Sequence, residues 1–317
     1  MPPFYDLASL AKPLVTAPLA LAFLDLDMDR RWALGFHDRE TPLTVRQLLS
    51  HSSGLPPWRP FTGEPVAVQL RRPTAGHPLL RPATPGLATY SDLNYRLLAE
   101  LLEVETGVPF ARLGAASGLR PAPWPEAPAE VPDGPDAEAW RLATDRPLPP
   151  RDPHLPHDAN ARAGMRGHAG FGATPPDMRT ALARWMAAGW PSRMAVETAA
   201  GEDGARWGLG LQAAFAGRGR FGQLLSHLPL GLGLHVLEVA TSDMPPPAPA
   251  QEADPGPPSG WWFHLGYTGP ALFCRPADGA CVALLAHRRG PGGEILPAEA
   301  LRARRWGTLR RWIEGLV

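Results

Sequence analysis

A serine and the only lysine of the chain lie three residues apart near its start, in the stretch YDLASLAK (residues 5–12). The sequence contains 31 lysine and arginine residues, and all of them except Lys12 are arginine. Arginine cannot accept a proton because its pKa stays above ~12 in proteins, whereas burial or a neighbouring charge can remove the proton from a lysine. Lys12 is therefore a candidate proton acceptor, and Ser9 is the hydroxyl that it could activate.

The spacing of these two residues suits the activation of a serine without a histidine. Positions i and i+3 lie on one face of a helix, so Ser9 and Lys12 would place a hydroxyl beside an amine. A purely structural interpretation stays open, because S-x-x-K patterns also arise by chance. In that case Ser9 only caps a helix, and Lys12 extends its stem along the surface.

Two further side chains with acid–base chemistry come later in the chain. Tyr90 is one of four tyrosines and stands at a predicted helix entrance, where its phenol could act as a second proton acceptor. His264 lies on a predicted strand, in the stretch HLGYTG. Each residue also has an ordinary interpretation, as a half-buried tyrosine and as a hydrogen-bonded structural histidine.

The other histidines do not have the spacing of metal ligands. His157 and His168 lie eleven residues apart, without a nearby cysteine or an E-x-x-H pattern. We therefore expect no metal site and no cofactor, and interpret both histidines, together with His51, as structural residues of loops.

Composition and charge narrow the class of protein. The 317 residues are 44% hydrophobic and carry a formal net charge of +0, so the chain can form a large core and has no basic excess for nucleic acid or anionic membranes. The apolar run from Leu14 to Leu24 is too short to cross a bilayer, and acidic residues rather than a cleavage region follow it. A cytoplasmic protein without a membrane span is expected.

Hydrophobic periodicity and turn signals predict an α+β protein. Helices are expected over residues 9–24, 44–49, 93–105, 110–119, 178–188 and 297–317, and strands over 207–215, 261–267, 270–275 and 280–287. Residues 121–156 are rich in proline and aspartate and predict a long surface excursion. The last helix is expected to bury Leu301, Leu309, Trp312, Ile313 and Leu316. Cys274 and Cys281 flank a hairpin turn and are expected to be free buried thiols, although they could face each other across the strands.

Five stretches carry a resemblance to a known family. YDLASLAK, LTVRQLLSHSSGLP, YSDLNYRLLAELLE, HDANA…GHAG and HLGYTG follow the order of the penicillin-recognising serine hydrolases. The chain resembles their esterase and class C β-lactamase branch, over roughly residues 4–180 and 205–291. The resemblance implies one domain over 1–317 with a β-lactamase/transpeptidase-like fold, an antiparallel sheet flanked by helices plus a helical subdomain. The helical part would span about 14–200, and the C-terminal strands and helix about 205–317.

The same resemblance implies the reaction and the roles of the catalytic residues. Ser9 corresponds to the nucleophile that is acylated, Lys12 to the amine that takes or relays its proton, and Tyr90 to the general base. The substrate would be a small ester or amide, hydrolysed through an acyl-serine without metal or cofactor. An esterase is the expected activity; the alternatives are a β-lactamase, a D-Ala-D-Ala peptidase and a non-catalytic descendant that binds a ligand.

The substrate side of the site departs from the family pattern. Asp92 falls where the family often has asparagine, and His264-Leu265-Gly266 replaces a K-T-G motif. The backbone N–H groups of Ser9 and Tyr267 would form the oxyanion hole.

The start of the chain also departs from the pattern, because relatives carry a helix and strands ahead of the serine. We therefore expect either further coding sequence upstream or an open sheet edge. An upstream start would leave a periplasmic or secreted location open.

Replacing Lys12 tests its assigned role as a titrating base. Lys12→Arg keeps the positive charge but removes the group that can become neutral, so turnover should fall more than ~100-fold. The measurement is steady-state ester hydrolysis by a variant whose circular dichroism spectrum and melting temperature match the wild type. Near wild-type turnover in such a folded variant would rule the role out.

Overall fold

The computed structural model describes residues 2–72, 76–128, 136–215, 224–225, 228–239, 258–289 and 294–316. Within these residues the strands are β1 (Tyr5–Asp6), β2 (Arg120–Pro121), β3 (Phe171–Ala173), β4 (Ala199–Ala200), β5 (Arg206–Trp207), β6 (Gln212–Phe215), β7 (Leu234–Glu238), β8 (Pro258–Leu265), β9 (Ala271–Arg275) and β10 (Ala280–Leu285). The α-helices are α1 (Ala17–Phe23), α2 (Val45–Leu49), α3 (Val66–Leu70), α4 (Asp92–Thr106), α5 (Phe110–Ala115), α6 (Asp136–Ala143), α7 (Ala159–Arg162), α8 (Pro175–Ala187), α9 (Trp190–Met194) and α10 (Ala298–Glu314).

A seven-stranded sheet in the order β4-β5-β6-β8-β9-β10-β7 forms the centre of the fold. Its strands pair antiparallel except for β10 and β7. The predicted hairpins β8–β9 and β9–β10 are present, and Cys274 lies opposite Cys281 in the register. Both cysteines are free and buried, as expected. The α+β fold class predicted from the sequence is confirmed.

A strand that precedes the C-terminal hairpins in the chain pairs with the last strand of those hairpins. Residues Leu234–Glu238 form β7, which pairs in parallel with β10 from Cys281 to Leu285. The Tyr5 hydroxyl donates a 2.9 Å hydrogen bond to Glu238 and so connects β7 to the start of the chain. Strand β7 is therefore one end strand of the described sheet, and β4 is the other.

The first predicted helix, over residues 9–24, changes its hydrogen-bonding pattern twice. A 3₁₀ turn covers Ala8–Leu10, a π-helical segment covers Lys12–Thr16, and a regular α-helix follows from Ala17. The two prolines in this segment lack the N–H that an uninterrupted α-helix would use. The site-bearing residues therefore lie on irregular helical turns.

Local signals placed helices α2 and α4 correctly. Thr44 caps α2 in a capping box with Gln47, and α4 ends at Gly107 in the left-handed conformation, with φ +66°. Nine side chains of α4 are buried, which makes it a central helix of the fold.

Two predictions about burial are wrong. Residues 121–156 are more than a surface excursion, because α6 lies among them and its Trp140 packs on Trp58 with ring centroids 6.1 Å apart. Leu316 is 44% exposed rather than buried. Helix α10 ends at Glu314, so Leu316 lies beyond its end and is not on its buried face. Leu309, inside the helix, is buried as predicted. In residues 121–156, the high proline and aspartate content hid the signal of the short amphipathic helix α6.

The loop between α7 and β3 makes a close contact that only glycine permits. Gly167 has φ +93°, and a Cβ atom there would lie 2.0 Å from the carbonyl oxygen of Tyr95 in α4. The Gly167 carbonyl accepts a hydrogen bond from the Thr16 hydroxyl at 2.5 Å. This contact fixes the loop that continues into His168, against the helices that carry the site.

Gly167→Ala should therefore destabilise the protein by more than ~3 kcal/mol, through both backbone strain and the clash with Tyr95. Gly107→Ala is the matched control, since Gly107 also has positive φ but a Cβ atom there would meet nothing within 4 Å. It should cost only about 1 kcal/mol. Urea unfolding of both variants gives the comparison. Equal losses would show that the close approach to Tyr95 does not require glycine.

Candidate active site

A strained turn presents the candidate nucleophile. Ala8, directly before Ser9, has φ +46°, a conformation that costs an L-residue about 1–2 kcal/mol. The Asp6 carboxylate accepts hydrogen bonds from the backbone N–H groups of Ala8 (2.8 Å) and His157 (2.9 Å). The Asp6 carbonyl accepts another from the Thr268 hydroxyl at 2.7 Å. Asp6 thus joins the turn before Ser9 to two other segments of the site, a role that the sequence analysis missed.

The structure brings Ser9 and Lys12 together, as their spacing suggested. Lys12 Nζ lies 2.9 Å from Ser9 Oγ and also donates to the carbonyl oxygen of His168 at 3.2 Å. The Lys12 side chain is fully buried.

A carboxylate next to Lys12 changes the expected charge of its amine. Asp92 Oδ1 lies 2.7 Å from Lys12 Nζ. Burial alone would lower the pKa of Lys12, but the charge of Asp92 and the hydrogen bonds to Asp92 and Tyr90 outweigh it, so that the pKa is raised above its ordinary value. The sequence analysis named burial and neighbouring charges as influences that can make a lysine neutral. Here the neighbouring carboxylate has the opposite effect and favours the ammonium form.

Tyr90 is the third member of the cluster. Lys12 Nζ lies 4.8 Å from the centre of its ring, and its hydroxyl is within hydrogen-bonding reach of Lys12 and Ser9. Burial raises the pKa of Tyr90, and the positive charge of Lys12 only partly opposes this effect. Tyr90 is therefore a neutral phenol in the resting site.

His51 packs against Tyr90 and holds it in place. The ring of His51 lies 4.6 Å from that of Tyr90 and 4.8 Å from that of Trp207. Its Nδ1 accepts a hydrogen bond from the backbone N–H of Ser91 at 3.1 Å. Burial lowers the pKa of His51 well below its ordinary value, so it stays neutral. The sequence analysis assigned His51 to loop structure and missed this contact with the site.

The stretch His264-Leu265-Gly266, which stands in place of the K-T-G motif, carries no positive charge. His264 is buried, and its Nδ1 lies 3.2 Å from the Leu265 carbonyl, which can only accept a hydrogen bond. Nδ1 therefore carries the proton, and Nε2 is left as an acceptor that has no hydrogen-bond partner among the described residues. Burial and the charge of Lys12 lower the pKa of His264 to about 3.

Gly266 and Tyr267 have packing roles that the structure makes visible. A Cβ atom on Gly266 would lie 2.9 Å from the carbonyl oxygen of Leu7, so glycine lets β8 approach the turn before Ser9. The Tyr267 ring stacks on His157 at 5.1 Å, and the Arg288 guanidinium lies 4.2 Å from the ring centre.

His168 and Asp158 form a close side-chain pair beside the cluster. His168 Nε2 lies 2.7 Å from Asp158 Oδ1. Burial would raise the pKa of Asp158, but His168 lowers it below the ordinary value. Side-chain ligand atoms of Asp92, Asp158 and His168 lie within 4.8 Å of one another, close enough to share a metal ion. Lys12 Nζ, 2.7 Å from Asp92, already supplies a positive charge at this position.

Two cavities meet at Tyr90. The first, the Ser9 cavity, has a volume of about 190 Å³. Its walls are formed by Ala8, Ser9, Pro57, Trp58, Leu79, Tyr90, Asp92, Asp136, His157, Asp158, His168, Ala169 and Tyr267. The second, the Trp207 cavity, has a volume of about 480 Å³. Its walls are formed by Ala88, Thr89, Tyr90, Glu202, Asp203, Ala205, Trp207, Gln212, Phe263, His264 and Leu265.

Comparison with known proteins identifies the family. The family model described as Beta-lactamase matches residues 5–304, and the chain therefore belongs to the beta-lactamase family, a group of serine hydrolases that includes penicillin-binding-protein-like members. No curated protein matches the chain. None of the helices in the described part of the chain has the length and apolar character that a bilayer crossing requires.

Solved structures share the fold at low sequence identity. A class C beta lactamase from Rhodobacter sphaeroides is 17% identical, with a TM-score of 0.54 over 98% of this chain and 86% of that chain. A beta-lactamase from Sulfitobacter sp. EE-36 is 18% identical, with a TM-score of 0.54 over 99% and 84%. The D-alanine carboxypeptidase AmpC from Burkholderia cenocepacia is 17% identical, with a TM-score of 0.53 over 99% and 84%. The β-lactamase/transpeptidase-like fold is thereby confirmed.

The Lys12–Asp92 ion pair predicts how activity depends on pH. Only the neutral amine can accept the Ser9 proton, so turnover should rise with pH towards the raised pKa of Lys12. Asp92→Asn removes the largest raising influence, and the acidic limb of the kcat/KM profile should move to lower pH by about 1–3 units.

Asp136→Asn is the control for this shift. Asp136 lies in the wall of the same cavity but is not among the groups that shift the pKa of Lys12. The limb should stay in place in this variant. An Asp92→Asn profile that coincides with the wild type would show that Lys12 is not the titrating base.

Proposed function

We propose that the protein is a serine esterase that hydrolyses small esters through an acyl-Ser9 intermediate. The observation that carries the proposal is the buried contact of Ser9, Lys12 and Tyr90 at the junction of two cavities. A nucleophile, a titratable amine and a phenol within hydrogen-bonding reach of each other provide the proton transfers that acyl transfer needs.

The reaction proceeds in two steps. Ser9 Oγ attacks the ester carbonyl and gives its proton to the neutral form of Lys12 across their 2.9 Å contact. The backbone N–H groups of Ser9 and Tyr267 stabilise the oxyanion of the tetrahedral intermediate. When the C–O bond breaks, the leaving alcohol takes that proton through Tyr90. Water then hydrolyses the acyl-Ser9 ester by the same proton path and regenerates the enzyme.

The charges around Ser9 favour uncharged acyl groups over anionic substrates. Neither cavity has a lysine or an arginine among the described residues of its walls. Of the three carboxyl groups in the wall of the Ser9 cavity, Asp92 is paired with Lys12 and Asp158 with His168, and Asp136 adds a further negative charge. Burial raises the pKa of Asp136 to about 6, so it is still mostly ionised at about pH 7.5. A carboxylate-bearing substrate such as a β-lactam would be repelled there.

The groups that bind a carboxylate in the K-T-G motif of related proteins are replaced in this chain. His264 is neutral at physiological pH, and the Leu265 side chain offers no hydrogen bond. Arg288 could restore a positive charge, but its Nε donates to the Leu296 carbonyl at 2.7 Å and its guanidinium lies over the Tyr267 ring. The volume of the Ser9 cavity, about 190 Å³, supports a short acyl chain.

Covalent labelling tests whether the site is catalytic at all. A fluorophosphonate probe should modify the protein once, and mass spectrometry should locate the adduct on Ser9. Ser9→Ala should abolish labelling. A folded wild-type protein that neither reacts with the probe nor hydrolyses esters would support the alternative of a non-catalytic, ligand-binding descendant.

Substrate preference separates an esterase from a β-lactamase. At about pH 7.5, kcat/KM for a short-chain p-nitrophenyl ester should exceed that for a penicillin and for a cephalosporin by at least about thirtyfold. The loss of one charged contact and one hydroxyl contact, ~2 kcal/mol, accounts for this factor. All three substrates are measured on one preparation. If either lactam is hydrolysed more efficiently than the ester, the protein is a β-lactamase instead.

A further inference from the structure

A buried arginine of α10 has no role in the mechanism above. Arg305 is only 4% exposed. Its guanidinium donates to three backbone carbonyls: Nε to Gly269, and Nη2 to Gly266 at 2.6 Å and to Pro270 at 3.1 Å. All three acceptors lie in the turn between β8 and β9, residues 266–270. One side chain of the last helix therefore binds the whole of this turn.

The charge of Arg305 has no acidic partner in the part of the chain that the structure describes. Burial and the charges of Arg288 and Arg302 lower its pKa to about 9, and no carboxylate opposes them. A group with this pKa is still protonated at about pH 7.5. A buried cation is unfavourable unless other groups compensate its charge. In the resting site only the dipoles of neutral carbonyl groups do so.

Other contacts already fix the turn that Arg305 binds. The Gly266 N–H donates to the Pro270 carbonyl at 2.8 Å and closes the turn. The Thr268 hydroxyl donates to the Asp6 carbonyl at 2.7 Å and holds the turn against the segment that precedes Ser9. Neither bond needs a positive charge. Shaping the turn is therefore not a sufficient reason for a buried guanidinium group.

The peptide unit between Gly266 and Tyr267 connects Arg305 with the reacting centre. Its carbonyl accepts the 2.6 Å bond from Arg305, and its N–H is the group that the proposed mechanism assigns to the oxyanion hole. The C=O and N–H of a trans peptide unit point in opposite directions. The Tyr267 N–H therefore points away from the guanidinium group, and Tyr267 lines the Ser9 cavity.

A charged donor on a peptide carbonyl strengthens the N–H of the same peptide. The carbonyl oxygen and the amide nitrogen share electrons by resonance, so a cation that draws density towards the oxygen makes the N–H more positive. Hydrogen bonds that follow one another polarise each other in this way, and bonds from ionised donors are the stronger ones. Arg305 can thus act on an oxyanion through one peptide unit without touching it.

We propose that Arg305 is a positioning residue of the acyl transfer, which holds the Gly266–Tyr267 peptide unit and strengthens the hydrogen bond from its N–H to the oxyanion. This inference rests on the proposed esterase function. The negative charge that develops on the substrate carbonyl oxygen supplies the counter-charge that the described resting site does not provide. Because that charge is largest in the transition state, the contribution of Arg305 is larger there than in the bound substrate.

A ketone that forms an oxyanion on Ser9 tests this role directly. The probe 1,1,1-trifluorobutan-2-one should add to Ser9 Oγ as a hemiketal, and fluorine NMR as a function of pH gives the pKa of the hemiketal hydroxyl. Arg305→Gln removes the charge but keeps an amide donor, so this pKa should rise by at least about one pH unit. The kcat/KM for a short-chain p-nitrophenyl ester should fall at least about tenfold in the same variant.

Arg304→Gln is the matched control. Arg304 precedes Arg305 in α10 and is 3% exposed, but its guanidinium donates to the Arg289 carbonyl, outside the turn. Its substitution can lower the melting temperature but should leave the hemiketal pKa as in the wild type. Arg305→Lys is the second test variant, used if Arg305→Gln does not fold. Lysine keeps the charge but not the guanidinium fork, so the hemiketal pKa should rise by at least about half a pH unit.

The outcomes separate the role of Arg305 from the esterase proposal. An unchanged hemiketal pKa in the folded test variant would overturn the role and leave the esterase intact. Equal rises in the Arg304 and Arg305 variants would also overturn it, because the effect would then follow from any lost arginine of α10. A wild-type protein that forms no hemiketal, does not react with a fluorophosphonate and does not hydrolyse the ester would instead refute the esterase function, and the role of Arg305 with it.

Discussion

The buried ion pair of Lys12 and Asp92 is the interaction on which the site depends. An ammonium group without a partner in this fully buried position would cost several kcal/mol. Asp92 lies in the first turn of α4, where the helix dipole also favours a negative charge. The pair thus joins the segment that carries Ser9 to the central helix. The same carboxylate keeps the Lys12 amine protonated. The ion pair that stabilises the fold therefore disfavours the neutral amine that the proposed base requires.

The surrounding structure holds the reacting groups by strained backbone and by buried polar contacts. Ala8 and His51 are the two non-glycine residues with positive φ in the described chain, and they flank Ser9 and Tyr90 respectively. Hydrogen bonds from the Ala8 and Ser91 backbone N–H groups, to Asp6 and His51, offset the strain. The Ser9 hydroxyl and the Tyr90 phenol are therefore held in place without a bound substrate. A site that transfers protons over short distances requires its groups to be held in this way.

The charges of the site point to a consistent class of substrate. His264 is neutral at physiological pH, and aspartates line the wall next to Ser9. Both features support the proposed preference for uncharged acyl groups.

Short-range patterns in the sequence determined much of this protein. Three kinds of feature depend on residues only a few positions apart: the Ser9–Lys12 contact, the caps Thr44 of α2 and Gly107 of α4, and the C-terminal hairpins. The structure contains all of them. Only the tertiary structure decided the rest, because the contacts join distant segments that carry no local signal. Three such contacts are the pairing of β7 with β10, the ion pair by which Asp92 stabilises the charged form of Lys12, and the hydrogen bond from the His157 N–H to Asp6. A pKa depends on burial and on nearby charges, and neither is defined until the chain has folded.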